Sequence, residues 1–265
     1  MASRSKKSSV LTFVLTFFIT LLLLGGASFL AKDFLVAVFT GDTENIGEAL
    51  PWTGGGGWPS ETLLAQTDYA DESYLDGIVF VGDSRTNGMM KYGFIEEGQT
   101  FAVDGINHRD IQEQKFVYLD SKTSPYTLAE AIEIKQPEII MVGLGINGVA
   151  FMAEDDFMAE YENLIDLLQE SSPDSKVIIE AILPVSSSKE KSDPRMKNTI
   201  IDAYNDRLYS LAQQKGCYFL DWSDELKDSN NALAKEYDSG DGLHLNTSAY
   251  EVLMDYIMTH ALVKS

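Results

Sequence analysis

The chain has 265 residues, 45% of them hydrophobic, with 20 Lys and Arg against 41 Asp and Glu. That length holds one sizeable domain plus appendages, and the apolar share is ordinary for a packed core. Every acidic residue lies at or after Asp33, while Arg4, Lys6, Lys7 and Lys32 precede it, so the remainder carries 16 basic against 41 acidic side chains, a charge of −25; this speaks against nucleic acid as a partner, since phosphate binding needs clustered Lys and Arg.

In chain order, residues 1–9 form a basic tail containing "RSKK", and residues 10–31 read "VLTFVLTFFITLLLLGGASFLA" without a charge. Roughly 20 apolar residues suffice for a helix to cross the hydrocarbon core, and the basic flank stays in the cytoplasm. The expectation is a single-pass anchor with the body of the protein extracytoplasmic, although the small residues of "GGASFLA" would also suit signal cleavage. Residues 32–73, with four glycines at Gly54 to Gly57 between Trp52 and Trp58, read as a flexible spacer. Residues 74–265 form the folded domain.

Within that domain, short apolar runs read as buried strands: "GIVFVG" (77–82), "TFAVDG" (100–105), "EIIMVGLG" (138–145), "KVIIEAIL" (176–183) and "CYFLD" (217–221). Stretches of helical period separate them. In 155–170, Phe157, Tyr161, Leu164, Ile165 and Leu168 share one face; 198–216 ends in Lys-Gly, a usual helix stop; and 246–264 closes the chain. Strands alternating with helices predict an α/β fold, a parallel sheet of about five strands covered on both faces. In such sheets the crevice lies beyond the carboxyl ends of the strands, which directs attention to Ser84, Gly105, Asn147, the loop after Pro184 and the segment after Asp221.

Ser84, in "IVFVGDSRTNG", is either the cap of the helix that follows or a nucleophile, and a serine nucleophile needs a base. Of the three histidines, His260 falls in the last amphipathic helix, with a surface or packing role. His108 follows the second strand and is a candidate for substrate contact. His244 stands three residues after Asp241 in "DSGDGLHLNTSAY", a separation that on a tight turn brings the carboxylate to one imidazole nitrogen and leaves the other for a serine. Gly143, Gly145 and Gly148 satisfy the dinucleotide-binding pattern, but that pattern wants an acidic residue about 20 positions on at the end of the next strand, whereas position 168 is leucine and the next strand starts only near Lys176; the Asn147 amide could instead donate to an oxyanion. The acidic group "EYDSGDG" lacks the glycines and terminal glutamate of a calcium loop, and Cys217, in an apolar run, reads as a small buried side chain. Neither metal nor cofactor is expected.

Taken together, Gly82-Asp83-Ser84 after the first strand, Gly105 after the second, Gly145-Ile146-Asn147 after the third and Asp241-Gly242-Leu243-His244 before the last helix resemble the SGNH/GDSL hydrolase family, in its order. The resemblance implies a flavodoxin-like three-layer α/β/α fold and serine ester hydrolysis, with Ser84 as nucleophile, His244 as base and then acid, and Asp241 orienting it. The N–H groups of Ser84 and Gly105 and the amide of Asn147 would form the oxyanion hole. Two positions depart from the family: Arg85 stands where leucine is common, and Gly148 where aspartate is. Arg85 could meet an anionic substrate group, with surface salt bridging the plainer expectation. The expected substrate is an O-acyl, above all O-acetyl, ester on a small molecule or cell-envelope carbohydrate. An O-acyltransferase using the same residues, or an inactive glycan-binding scaffold, are the alternatives.

Overall fold

The computed structural model describes residues 61–119 and 124–263. The predicted tail, membrane span and glycine run lie outside the described residues, and no helix among the described residues is long and apolar enough to cross a membrane. Among the described residues seven strands are seen: β1 (Ile78–Gly82), β2 (Thr100–Ala102), β3 (Lys115–Val117), β4 (Tyr126–Thr127), β5 (Ile139–Gly143), β6 (Lys176–Glu180) and β7 (Tyr218–Leu220). The helices are α1 (Ser84–Lys91), α2 (Leu128–Lys135), α3 (Ile146–Val149), α4 (Glu154–Ser171), α5 (Ser187–Ser192), α6 (Asn198–Lys215) and α7 (Thr247–Thr259).

The five predicted runs all become strands of one sheet, in the order β2-β1-β5-β6-β7, with every pairing parallel. The central strands are closed to solvent on both faces, Val79, Val81, Ile140 and Val142 each being 0% exposed, as continuous apolar runs require. From β1 the chain steps outward to β2 and then returns to β5 on the other side. Right-handed crossovers place the connecting helices of these two directions on opposite faces and open a crevice at the carboxyl ends of β1, β2 and β5. Helix α4 buries the five predicted residues Phe157, Tyr161, Leu164, Ile165 and Leu168. The antiparallel pair β3–β4 was not foreseen; its strands are two or three partly exposed residues long and leave no apolar run to read.

Three boundaries differ from expectation, each because polar groups decide them. The fourth predicted run continues to residue 183, yet β6 ends at Glu180. Beyond it the backbone pairs with side chains: Asn205 donates to Ile182 O at 3.0 Å and accepts from Ile182 N at 2.7 Å, while Asn198 donates to Val185 O and accepts from Val185 N, both at 2.9 Å. Two buried amides on α6 thus act as a substitute strand for this segment. At the chain's end α7 stops at Thr259, and Leu262 N donates to the Tyr74 hydroxyl. His260 therefore lies just past the helix, its ring stacked on Tyr256 and its Nδ1 donating to Tyr256 O. Finally, residues 62–64, expected to be linker, pair alongside β7, with Leu64 N donating to Phe219 O and Phe219 N to Thr62 O. Domain packing thus begins before residue 74.

Candidate active site

Strand β1 delivers Asp83 and Ser84 to the crevice. Asp83, not Ser84, is the N-cap: its Oδ1 accepts from Arg85 N at 2.9 Å. The capping reading of the serine is thereby corrected, and Ser84 becomes the first helical residue, whose N–H has no partner within the helix. Its hydroxyl is 3.0 Å from His244 Nε2, and His244 Nδ1 is 2.6 Å from Asp241 Oδ2. A proton on Nδ1, facing the carboxylate, leaves Nε2 to accept from the Ser84 hydroxyl.

The loop before α7 is built to hold that imidazole. Asp241 Oδ1 accepts from the N–H groups of Leu243 and His244, and Asp238 Oδ1 from those of Gly240 and Gly242. The acidic run is therefore spent on its own backbone. Gly242 sits at φ +77°, and a side chain there would also strike Ser186, so glycine is required on both counts. Burial acts to raise the Asp241 carboxyl, but hydrogen bonds from the His244 ring and from the two N–H groups outweigh it and hold it well below the usual carboxylate range. The pair is open to solvent, with 53% of the Asp241 and 43% of the His244 side chain exposed.

Gly105, at φ +77°, turns the chain after β2, and neither its N–H nor that of Ser84 is taken by another described residue. Asn147, on α3, brings its amide to the same place. Both of its protons are engaged, one by Asp83 Oδ2 at 3.0 Å and one by Ile106 O at 2.9 Å. An oxyanion there would take over the proton that serves Ile106. Asp104 stands beside this group, its charge favoured by hydrogen bonds from Asn87 and Lys91.

Two expected site residues have other work. His108 is 0% exposed, packed against Phe157 and Tyr161, with its Nε2 donating to Phe157 O. It cannot touch substrate, and burial pushes its pKa down to about 4. Arg85 is 8% exposed, lies away from the surface and forms no salt bridge among the described residues. Its guanidinium donates to Leu243 O from Nε and Nη2, to Leu183 O from Nη1 and to Pro184 O from Nη2, at 2.8 to 3.1 Å. It ties the helix of Ser84 to the loop of His244 and to the segment that Asn198 and Asn205 hold. Tyr250 completes the fixture by donating to Arg85 O at 2.9 Å. The signal available for the two asparagines was their place on the apolar stripe of α6 with Ile201, Tyr204 and Leu208; nothing in the sequence marked the carbonyls that Arg85 serves.

The glycines of the dinucleotide-like pattern are explained by packing, since side chains at Gly143 and Gly148 would strike Glu180 and His108. Cys217 is 3% exposed and its thiol is pushed up to about 12 by burial.

The model of the GDSL-like Lipase/Acylhydrolase family matches residues 80–252. Solved structures of similar fold include a lipase/acylhydrolase from Enterococcus faecalis, with a TM-score of 0.52 and 16% identity over 68% of this chain and 92% of that one. A GDSL-like lipase from Bacteroides thetaiotaomicron has a TM-score of 0.51 and 18% identity, over 68% of this chain and 84% of that one. An acetyl xylan esterase has a TM-score of 0.50 and 18% identity, over 68% of this chain and 96% of that one. Identities this low establish likeness of fold. Among curated proteins none matches.

Proposed function

Since the chain belongs to the GDSL-like lipase/acylhydrolase family and is a serine hydrolase, we propose that it is an esterase that removes small O-acyl groups, above all O-acetyl, from cell-envelope carbohydrate through a covalent acyl-enzyme on Ser84. The observation that carries this reading is the hydrogen-bonded run from Ser84 Oγ to His244 Nε2 and from His244 Nδ1 to Asp241. As Ser84 Oγ bonds to the acyl carbon, its proton passes to Nε2, and Asp241 stabilises the imidazolium. The N–H groups of Ser84 and Gly105 and the amide of Asn147 receive the oxyanion. Collapse breaks the bond to the alcohol, which leaves with the proton from Nε2, and a water molecule then repeats the sequence on the acyl-enzyme.

Asp83, Asp104 and Asp241 all surround this site, and Asp83 and Asp104 both feel the His244 charge. Such surroundings suit an uncharged ester better than an anionic one. The carbohydrate assignment has the support that one fold neighbour is an acetyl xylan esterase. Extracytoplasmic placement on a membrane anchor rests on the apolar run at residues 10–31 and its basic flank. Hydrolysis of an aryl acetate by the protein and by its Ser84→Ala variant tests the chemistry. The variant should lose activity and fluorophosphonate labelling together; a variant as fast as the wild type would overturn the reading.

A further inference from the structure

Glu180, the last residue of β6, is 5% exposed and has no described role in the chemistry above. Its carboxyl lies over Gly143 at the end of β5, where any side chain would collide with it. It accepts no hydrogen bond from a described residue and faces a cavity of about 30 Å³ behind the nucleophile's turn, lined also by Asp83, Thr86, Gly143 and Tyr250. Thr86, 4% exposed, is likewise without a hydrogen bond for its hydroxyl among the described residues. Space of roughly 10–15 Å³ on this measure takes a water, which needs two to four polar partners. Here Glu180, Thr86 and Asp83 provide them.

We propose that Glu180 is a positioning residue: as a carboxylic acid it donates, through a water in this cavity, to the Asp83 carboxylate that holds the Asn147 amide and the first turn of α1. The proposal rests on the serine-hydrolase reading of the site. Two neighbouring carboxylates buried in one pocket do not both ionise. Asp83 has two N–H donors, Arg85 N and Asn147 Nδ2, and the Arg85 cation nearby, whereas Glu180 has neither. Asp83 therefore keeps the charge and Glu180 the proton. Burial, and then the neighbouring acid, raise Glu180 to about 8, and burial raises Asp83 to about 6. The groups facing this pair are Arg85 from α1, Tyr161 from α4, Tyr250 from α7, Asp104 after β2 and, across the crevice, His244. Both tyrosines are held neutral by burial, Tyr161 far above its ordinary value and Tyr250 likewise raised. Ionisation of Glu180 puts a second negative charge against Asp83, and the Asn147 amide loses its fixed acceptor.

The experiment is kcat and KM for an aryl acetate between about pH 6 and about pH 9.5 with wild type, Glu180→Gln and Glu180→Ala. The amide keeps a neutral donor of the same shape, so Glu180→Gln should hold kcat within about twofold at neutral pH and lose the alkaline fall of kcat/KM that wild type shows near pH 8. Glu180→Ala should lower kcat about tenfold with KM little changed, while Ser84 still takes the fluorophosphonate label. An alkaline fall shared by wild type and Glu180→Gln overturns the proposal, and that comparison decides alone where the alanine variant does not fold. Ser84→Ala, run beside them, separates the two claims: activity lost there with both Glu180 variants unchanged sinks this inference and leaves the hydrolase reading standing.

Discussion

Replacing Arg85 with methionine keeps the apolar stem of the side chain and removes the guanidinium. The carbonyls of Leu183, Pro184 and Leu243 then lose four hydrogen bonds from one cation. Bonds to charged groups contribute about 1.5–3 kcal/mol each, so the gross loss is on the order of 6–12 kcal/mol. Against this stands the desolvation of a buried cation, which here holds the guanidinium pKa below its ordinary value with Asp83 only partly offsetting it. Breaking a buried charged cluster from one side typically leaves a net cost of about 3–5 kcal/mol. At about 2–4 °C per kcal/mol for a domain of this size, the melting temperature should fall by about 10 °C. Activity should fall further than stability does, because the same contacts set the 3.0 Å approach of Ser84 to His244, and a misplacement of about 1 Å costs about 10²-fold in rate. Thermal melts and aryl acetate kinetics taken well below the transition read both effects; kcat should drop about 10²-fold with KM nearly unchanged. A variant that melts and turns over like wild type, or whose kcat falls only in proportion to the unfolded fraction, would refute the claim that Arg85 fixes the spacing of the site.

On the proposed mechanism Asn147→Ala removes one oxyanion donor and should lower kcat for the same ester by about 10²–10³; a kcat within about threefold of wild type would take Asn147 out of the proposed oxyanion hole. His108 gives a prediction about stability against pH. Its folded pKa, about 4, lies below its ordinary value of 6.5 because burial disfavours the imidazolium. Between these values the unfolded chain binds the extra proton, so stability is lost as pH falls from 6.5 towards 4, up to about 3 kcal/mol. Urea unfolding of wild type and His108→Gln across that window should show a steeper acid loss in wild type; parallel curves would mean that His108 is not held neutral.

Much of this was legible in the residues because local pattern and tertiary role coincide. The apolar runs at 78–82 and 139–143 are too continuous for a half-exposed strand, and they form the two adjoining strands at the heart of the sheet. The stripe from Phe157 to Leu168 follows from helical period alone, and all five residues are buried. Asp241 and His244 meet because three residues on a glycine turn allow only a short separation, which spacing already implies. The misreadings concern residues whose partners are distant in sequence. Arg85 reads in sequence as a surface or substrate-binding cation because a charge after a strand usually is one, and its partners lie 98 to 158 positions away. His108 was placed at the crevice by its position after a strand, yet the ring turns inward against α4.

The sequence by itself determined the α/β sheet, the order of its strands' apolar runs and the short-range pairing of Asp241 with His244, because these depend on periodicity and on neighbours a few residues apart. Only the tertiary structure decided that Asp83 caps the helix and holds Asn147, that Arg85 binds three carbonyls, and that Glu180 sits buried behind the turn of Ser84 with no hydrogen bond from a described residue. Each of these is a polar group removed from water, and which partner satisfies it is fixed by where separate loops come together, a quantity that no local pattern encodes.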